Sequence, residues 1–197
     1  MTRDEADGDA AAEAAIARLF GGRTAAIVPD AIGPAAAAEL RDRLERTGYT
    51  RYALLDRGSY DVLADPREPA VFAPLIEIAA RATGRSLAVA EARALRLRAG
   101  DYLLAHHDRI LDDHPVELIL DISPASVPGA EVHYRRRGQV YFRVPCAPGS
   151  LAIVERGPTV ACNHTYVSKR DPAASVVRLV VLLRDAATSR ENRAPAG

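Results

Sequence analysis

The 197-residue chain has no tryptophan, one methionine, three phenylalanines, two cysteines and a single lysine, Lys169. Cys146 and Cys162 form no Cys-x-x-Cys pair. That excludes a disulfide framework and a thiolate zinc site. Without tryptophan, a sugar-binding module loses its usual stacking residue. Charge of one sign is also missing: 26 Lys+Arg balance 26 Asp+Glu. Such a chain sets up no long-range field to attract nucleic acid or an anionic membrane. No apolar run reaches the roughly 18–20 residues of a spanning helix. The first 15 residues are Ala-rich and acidic, with no basic-then-apolar leader. The expectation is a soluble, cytoplasmic protein acting on a small molecule, with no nucleic-acid or membrane partner. The 38 alanines and the near-exclusive use of Arg for Lys fit GC-rich, bacterial coding and carry no function.

What is present reads as one domain over 15–185, between tails at 1–14 and 186–197 that lack periodic apolar positions. Thr24–Val28 reads as a short strand. A helix opens at Gly33-Pro34, places Ala37, Leu40 and Leu44 on one face, and stops at Gly48. A second helix over Glu68–Thr83 puts Phe72, Leu75, Ile76 and Ala79 at helical spacing and stops at Gly84. From Ser86 onward the period changes to that of strands: Leu87–Leu97, Val116–Ile122, Glu131–Tyr134, Val140–Val144, Leu151–Val154, Thr159–Cys162 and Ser175–Leu183. Pro128-Gly129, Arg137-Gly138, Pro148-Gly149 and Gly157-Pro158 mark turns between them. The fold class expected is mainly β with N-terminal helices (α+β). A helical layer at about 33–84 covers a jelly-roll core at about 86–184.

All five histidines fall between residues 106 and 164. In extended chain His106 and Asp108 face the same way and His107 faces away. One imidazole and one carboxylate supply two ligands of a facial metal site, and His164 is the natural third. Two His and a carboxylate leave three open positions, which suits non-haem Fe(II) binding a co-substrate and O₂ together. With 15 aspartates in the chain, a His-x-Asp spacing is common by chance, so context has to carry it. Asp112 and His114 form a rival pair in a polar stretch. The supporting residue is Arg178, inside the apolar run Ser175–Leu183. A buried guanidinium needs an anion, and a dicarboxylate co-substrate held bidentately would supply one. Arg170 and Arg184 are the fallback choices. Tyr141 is placed to reach the same co-substrate. His133, Tyr102 and Glu131 are candidates for the pocket lining. Arg135–Arg137 reads as a solvated hairpin tip, or as contact for an anionic substrate group.

Read in order, these segments resemble the 2-oxoglutarate- and Fe(II)-dependent oxygenases of the prolyl-hydroxylase-like kind. Gly100-Asp101-Tyr102-Leu103-Leu104-Ala105 leads into His106-His107-Asp108. Pro128-Gly129-Ala130-Glu131 is similar to a Gly-Gly-Glu turn, and Gly149-Ser150-Leu151 precedes a strand. His164 precedes Arg178 by more than ten residues, and Val28-Pro29-Asp30 with its following helix resembles the family's usual start. The resemblance spans about residues 24–184. It implies a double-stranded β-helix, Fe(II) on His106, Asp108 and His164, and 2-oxoglutarate paired with Arg178. It also implies O₂ as oxidant, with hydroxylation or another C–H oxidation as outcome. Because Asp108 takes a coordination position, halogenation is disfavoured. Two other readings stay open: a cupin-type metalloenzyme without 2-oxoglutarate, and a non-catalytic jelly-roll binding module. Cupins place a Glu soon after paired His, whereas here none appears before Glu117.

Overall fold

The computed structural model describes residues 24–55, 57–106, 115–157 and 159–186, with position 106 described by its backbone alone. Asp108, His107, Asp112 and His114 lie outside the described residues, as do both expected tails except Ala186. The elements are β1 (Ala25–Val28), α1 (Pro34–Thr47), β2 (Thr50–Leu54), β3 (Gly58–Ala64), α2 (Pro69–Thr83), β4 (Leu87–Arg98), β5 (Tyr102–His106), β6 (Val116–Asp121), β7 (Val132–Arg136), β8 (Gln139–Val144), β9 (Leu151–Glu155), β10 (Val160–His164) and β11 (Ser175–Asp185). The strands run antiparallel in the order β1-β9-β6-β11-β4-β3-β5-β10-β7-β8, with β2 paired to β3. This is a near-closed antiparallel barrel of double-stranded β-helix, or jelly-roll, topology.

Side-chain alternation explains the layering. In β6, Val116, Leu118 and Leu120 join a core cluster with Leu40 and Leu44 of α1 and Leu75 and Ala79 of α2. Ile119, between them, joins a second cluster inside the barrel with Val132, Tyr134 and Cys162. β11 divides the same way: Val177, Leu179 and Val181 meet the helices, and Val176 and Val180 face the barrel interior. A sheet covered on both faces reads as an unbroken apolar run, as these segments do. Each fully buried Leu contributes about 1.5–3 kcal/mol, which fixes the helical layer on one side. Both helices start with Pro at their first turn and end at Gly48 and Gly84, as their sequences indicate.

Three strands carry no clear sequence signal. β2 is exposed along its whole length, so it shows no apolar alternation. β3 begins at Gly58, where φ is +111° and a Cβ would collide with the Tyr102 carbonyl; only glycine lets β3 approach β5 there. β5 follows β4 after a short turn held by Asp101, so the two read as one. His164 closes β10, where the sequence reading set it just after a strand.

Asp101 holds this corner together. Its carboxylate accepts two 2.6 Å bonds from Arg51, one of 2.6 Å from Ser59 and one of 2.9 Å from the Arg98 amide. Its carbonyl accepts from the Val167 amide at 2.8 Å. Burial pushes the Asp101 pKa up, but the bonds from Arg51, Ser59 and Arg98 outweigh it and hold the carboxyl below the usual range. A lowered folded-state pKa contributes stability that is complete above the unfolded value, about 3.9, and is lost as pH falls through the folded value. Asp101→Asn is therefore expected to lose about 2 kcal/mol at pH 7. The gap from the wild type should shrink as urea denaturation is repeated below pH 4.

Candidate functional site

The two strands bearing the expected ligands are neighbours. β5 and β10 pair with His106 opposite Cys162 and Leu103 opposite His164, and the register shifts between the two pairs. One extra residue in β5 lets positions 103 and 106 both stand opposite interior-facing partners. His164 therefore sits one strand away from position 106 and two residues along, and the residue directly across is Cys162. Asp108 lies outside the described residues, so its part in the site stays an expectation.

His164 is buried, and its Nδ1 accepts from Arg178 Nη1 at 3.1 Å. Arg178 is 1% exposed. Its Nη2 donates to the Ala130 carbonyl at 2.8 Å, and its Nε has no hydrogen-bond partner. No carboxylate forms an ion pair with it among the described residues. Asp121 is its register partner on β6, but the Asp121 oxygens accept from the Ser123 and Ala147 amides, each at 2.9 Å. Burial lowers the Arg178 pKa, opposed at longer range by Asp121, Cys146, Tyr134 and Glu131. The barrel thus encloses a guanidinium whose charge no contacting carboxylate balances among the described residues.

His133 alternates with the interior residues Val132 and Tyr134 and lies on the opposite face of β7, where its Nε2 is 2.7 Å from Glu131 Oε2. Tyr102 pairs in register with Ser59 at the β3–β5 junction. Tyr141 lies under the Arg136 guanidinium at 4.7 Å, and its buried hydroxyl has no hydrogen-bond partner. Burial pushes its pKa up. Arg135 donates to Asn163 Oδ1 and to the Gly138 carbonyl, so the hairpin tip is tied down.

A second polar group inside the barrel was not singled out from sequence. Arg156 pairs with Glu117, and its Nη1 donates to Cys162 Sγ at 3.8 Å. Tyr134, fully buried beside them, has a hydroxyl without a hydrogen-bond partner, and burial followed by Glu117 raises its pKa well above the usual value. A signal did exist. Glu117 and Asp121 each lie two residues from Ile119, one on either side, in the apolar run Val116–Ile122, which sets all three on one strand face.

No protein-family model matches the sequence, and no curated protein matches it. Solved structures do match its shape. One is described as an oxidoreductase of the 2OG-Fe(II) oxygenase family from Burkholderia pseudomallei (TM-score 0.71, 13% identity, 90% of this chain and 94% of that one). A prolyl hydroxylase from Trichoplax adhaerens aligns with a TM-score of 0.72 at 11% identity, covering 94% of each chain. The alpha ketoglutarate dependent epimerase SnoN from nogalamycin biosynthesis aligns at 0.69 and 15% identity, over 89% of this chain and 82% of that one. The chain has the double-stranded β-helix fold found in the 2-oxoglutarate/Fe(II) oxygenase superfamily. At these identities the likeness is one of fold.

Removing an unbalanced buried charge relieves desolvation. Arg178→Met is therefore expected to match or exceed the wild-type stability, by up to about 1–4 kcal/mol. Thermal unfolding of the two proteins measures this. A loss of several kcal/mol would show that the guanidinium is a structural element.

Proposed function

We propose that the protein is an Fe(II)- and 2-oxoglutarate-dependent oxidoreductase that oxidises a C–H bond of a small molecule, with hydroxylation as the outcome. Arg178 carries this reading: a fully buried guanidinium with an unpaired Nε and, among the described residues, no contacting carboxylate, inside a fold that these oxygenases use. A dicarboxylate meets that need, with one carboxylate on Arg178 and the oxo-acid end toward His106 and His164. The donor set suits the group as well, since two imidazoles and a carboxylate favour a divalent iron with open positions. His106, Asp108 and His164 would hold the metal, and Arg178 the co-substrate.

Held by His106, Asp108 and His164, the iron would supply O₂ activation coupled to the oxidative decarboxylation of 2-oxoglutarate to succinate and CO₂. The chain's own residues bind, orient and exclude water. Arg178 fixes the co-substrate by charge-assisted hydrogen bonds. Ile119, Val132 and Val180 form a dry wall around it, which protects a reactive centre from water. The backbone bonds around Asp101 hold β5 against the segment after β10, and so hold the two histidine-bearing strands together.

The assay is succinate release from 2-oxoglutarate under O₂, paired with anaerobic Mn(II) binding followed by electron paramagnetic resonance. His106→Ala, Asp108→Ala and His164→Ala are each expected to weaken metal binding by at least about 100-fold, beyond what outer-shell changes cost. Cys162→Ala should retain the metal. Arg178→Met should weaken 2-oxoglutarate binding on the order of 100-fold while keeping the metal. Metal binding that survives His164→Ala but not Cys162→Ala would overturn the ligand assignment. Absence of both metal and 2-oxoglutarate binding would overturn the function.

A further inference from the structure

A cavity of about 340 Å³ opens between two loops. One wall is Ser126, Val127 and Pro128, from the connection between β6 and β7. The other is Ser168, Arg170, Asp171 and Ala174, from the connection that joins the strand ending in His164 to the strand holding Arg178. Hydrogen bonds fix its place relative to the site. The Val127 carbonyl accepts from the Ala130 amide at 3.2 Å, and the Ala130 carbonyl accepts from Arg178 Nη2 at 2.8 Å. Thr165, next after His164, donates from Oγ1 to the Gly129 carbonyl at 2.7 Å and from its amide to the Glu131 carbonyl at 2.9 Å. The two walls are thus latched together at the end of the barrel where His164 and Arg178 sit.

Local bonds shape both walls. Ser126 Oγ donates to the Cys146 carbonyl at 2.8 Å. Asp171 Oδ1 accepts from the Ala173 amide at 2.9 Å, and the Arg170 amide donates to Ser168 Oγ at 3.2 Å. Such side-chain turns hold a loop without a strand ladder. They leave the charges at the rim available. Arg170 and Asp171 are exposed, and among the described residues neither forms an ion pair, although they are adjacent in sequence. Beneath them, Ala174 belongs to the interior apolar cluster and Val127 packs against it.

The lining therefore offers one cation, one anion and an apolar floor. A ligand with a single charge would meet a like charge beside its partner. A molecule with a carboxylate, an ammonium and a small apolar body meets all three. We infer that this cavity is the substrate pocket, and that the substrate is a free amino acid with an apolar side chain, its carboxylate held by Arg170 and its ammonium by Asp171. The word substrate rests on the oxygenase reading. The zwitterion site itself rests on the cavity.

The test is calorimetric binding of three probes to the full chain, with and without Mn(II) plus saturating 2-oxoglutarate, in the absence of O₂. The probes are L-leucine, 4-methylpentanoate, which lacks the ammonium, and 3-methylbutylamine, which lacks the carboxylate. L-Leucine should bind under both conditions, and each singly charged probe about tenfold or more weakly, the cost of one charge-assisted hydrogen bond. Arg170→Met should bring L-leucine down to the affinity of 3-methylbutylamine. Asp171→Asn keeps an oxygen for the Ala173 amide, and should bring L-leucine down to the affinity of 4-methylpentanoate. Equal binding of the three probes, displacement of L-leucine by 2-oxoglutarate, or indifference to both substitutions would each overturn the assignment. Binding of 2-oxoglutarate without any binding of L-leucine would also overturn it, and leave the oxygenase reading standing. L-Leucine binding that passes the substitution arms while 2-oxoglutarate fails to bind would instead overturn the oxygenase reading and leave the amino-acid site standing.

Discussion

A guanidinium sealed inside a barrel costs several kcal/mol unless its charge is met, and Arg178 meets this cost only in part. Its hydrogen bonds go to a carbonyl and an imidazole, neither of which carries negative charge. The one carboxylate in its register row, Asp121, is bound to backbone amides. The rest of the barrel keeps that arrangement in place. Val176 and Val180 flank Arg178 on its own strand, and Val177 and Leu179 anchor the same strand to the helical layer. The fold stabilises a strand rigid enough to hold a cation where water cannot reach it.

Among the described residues, the barrel interior holds two polar regions. One contains Arg178 and His164. The other contains Glu117, Arg156, Tyr134 and Cys162, and there the charge is balanced internally by the Glu117–Arg156 pair. Burial opposes the charge of Arg156, but Glu117 and Cys162 more than restore it and hold its pKa above the ordinary value. For Arg178 burial prevails. Two arginines buried in one barrel thus differ in the sign of their shift, and the difference is whether a carboxylate touches the guanidinium. That contrast sets the Glu117–Arg156 ion pair apart from Arg178 more clearly than burial does.

Much of this was legible before any coordinates. The helices announced themselves by spacing and by their Pro and Gly ends. The core strands did so by unbroken apolar runs bounded by turn residues. Arg178 stood out because a charged residue interrupts such a run. The hairpin of β2 and β3 was not legible, because β2 is exposed throughout and gives no alternation. β5 was hidden because a turn of few residues joins it to β4. His133 and Glu131 were drawn to the pocket by proximity in sequence, yet they pair with each other on the far side of β7 from Val132 and Tyr134. A single step along a strand reverses the face.

Local chemistry in the chain determined which segments are helix and which are strand, and it marked a small set of histidines, an aspartate and an arginine as out of place in an ordinary core. Those properties depend on neighbours within a few residues. Only the tertiary structure decided that β5 lies against β10, that Cys162 stands across from His106 with His164 two residues on, and that Asp121 is turned toward amides. It also set Val127 and Ala174, 47 positions apart, on one cavity. Strand pairing between distant segments is a matter of register and closure, and a chain carries no local record of either.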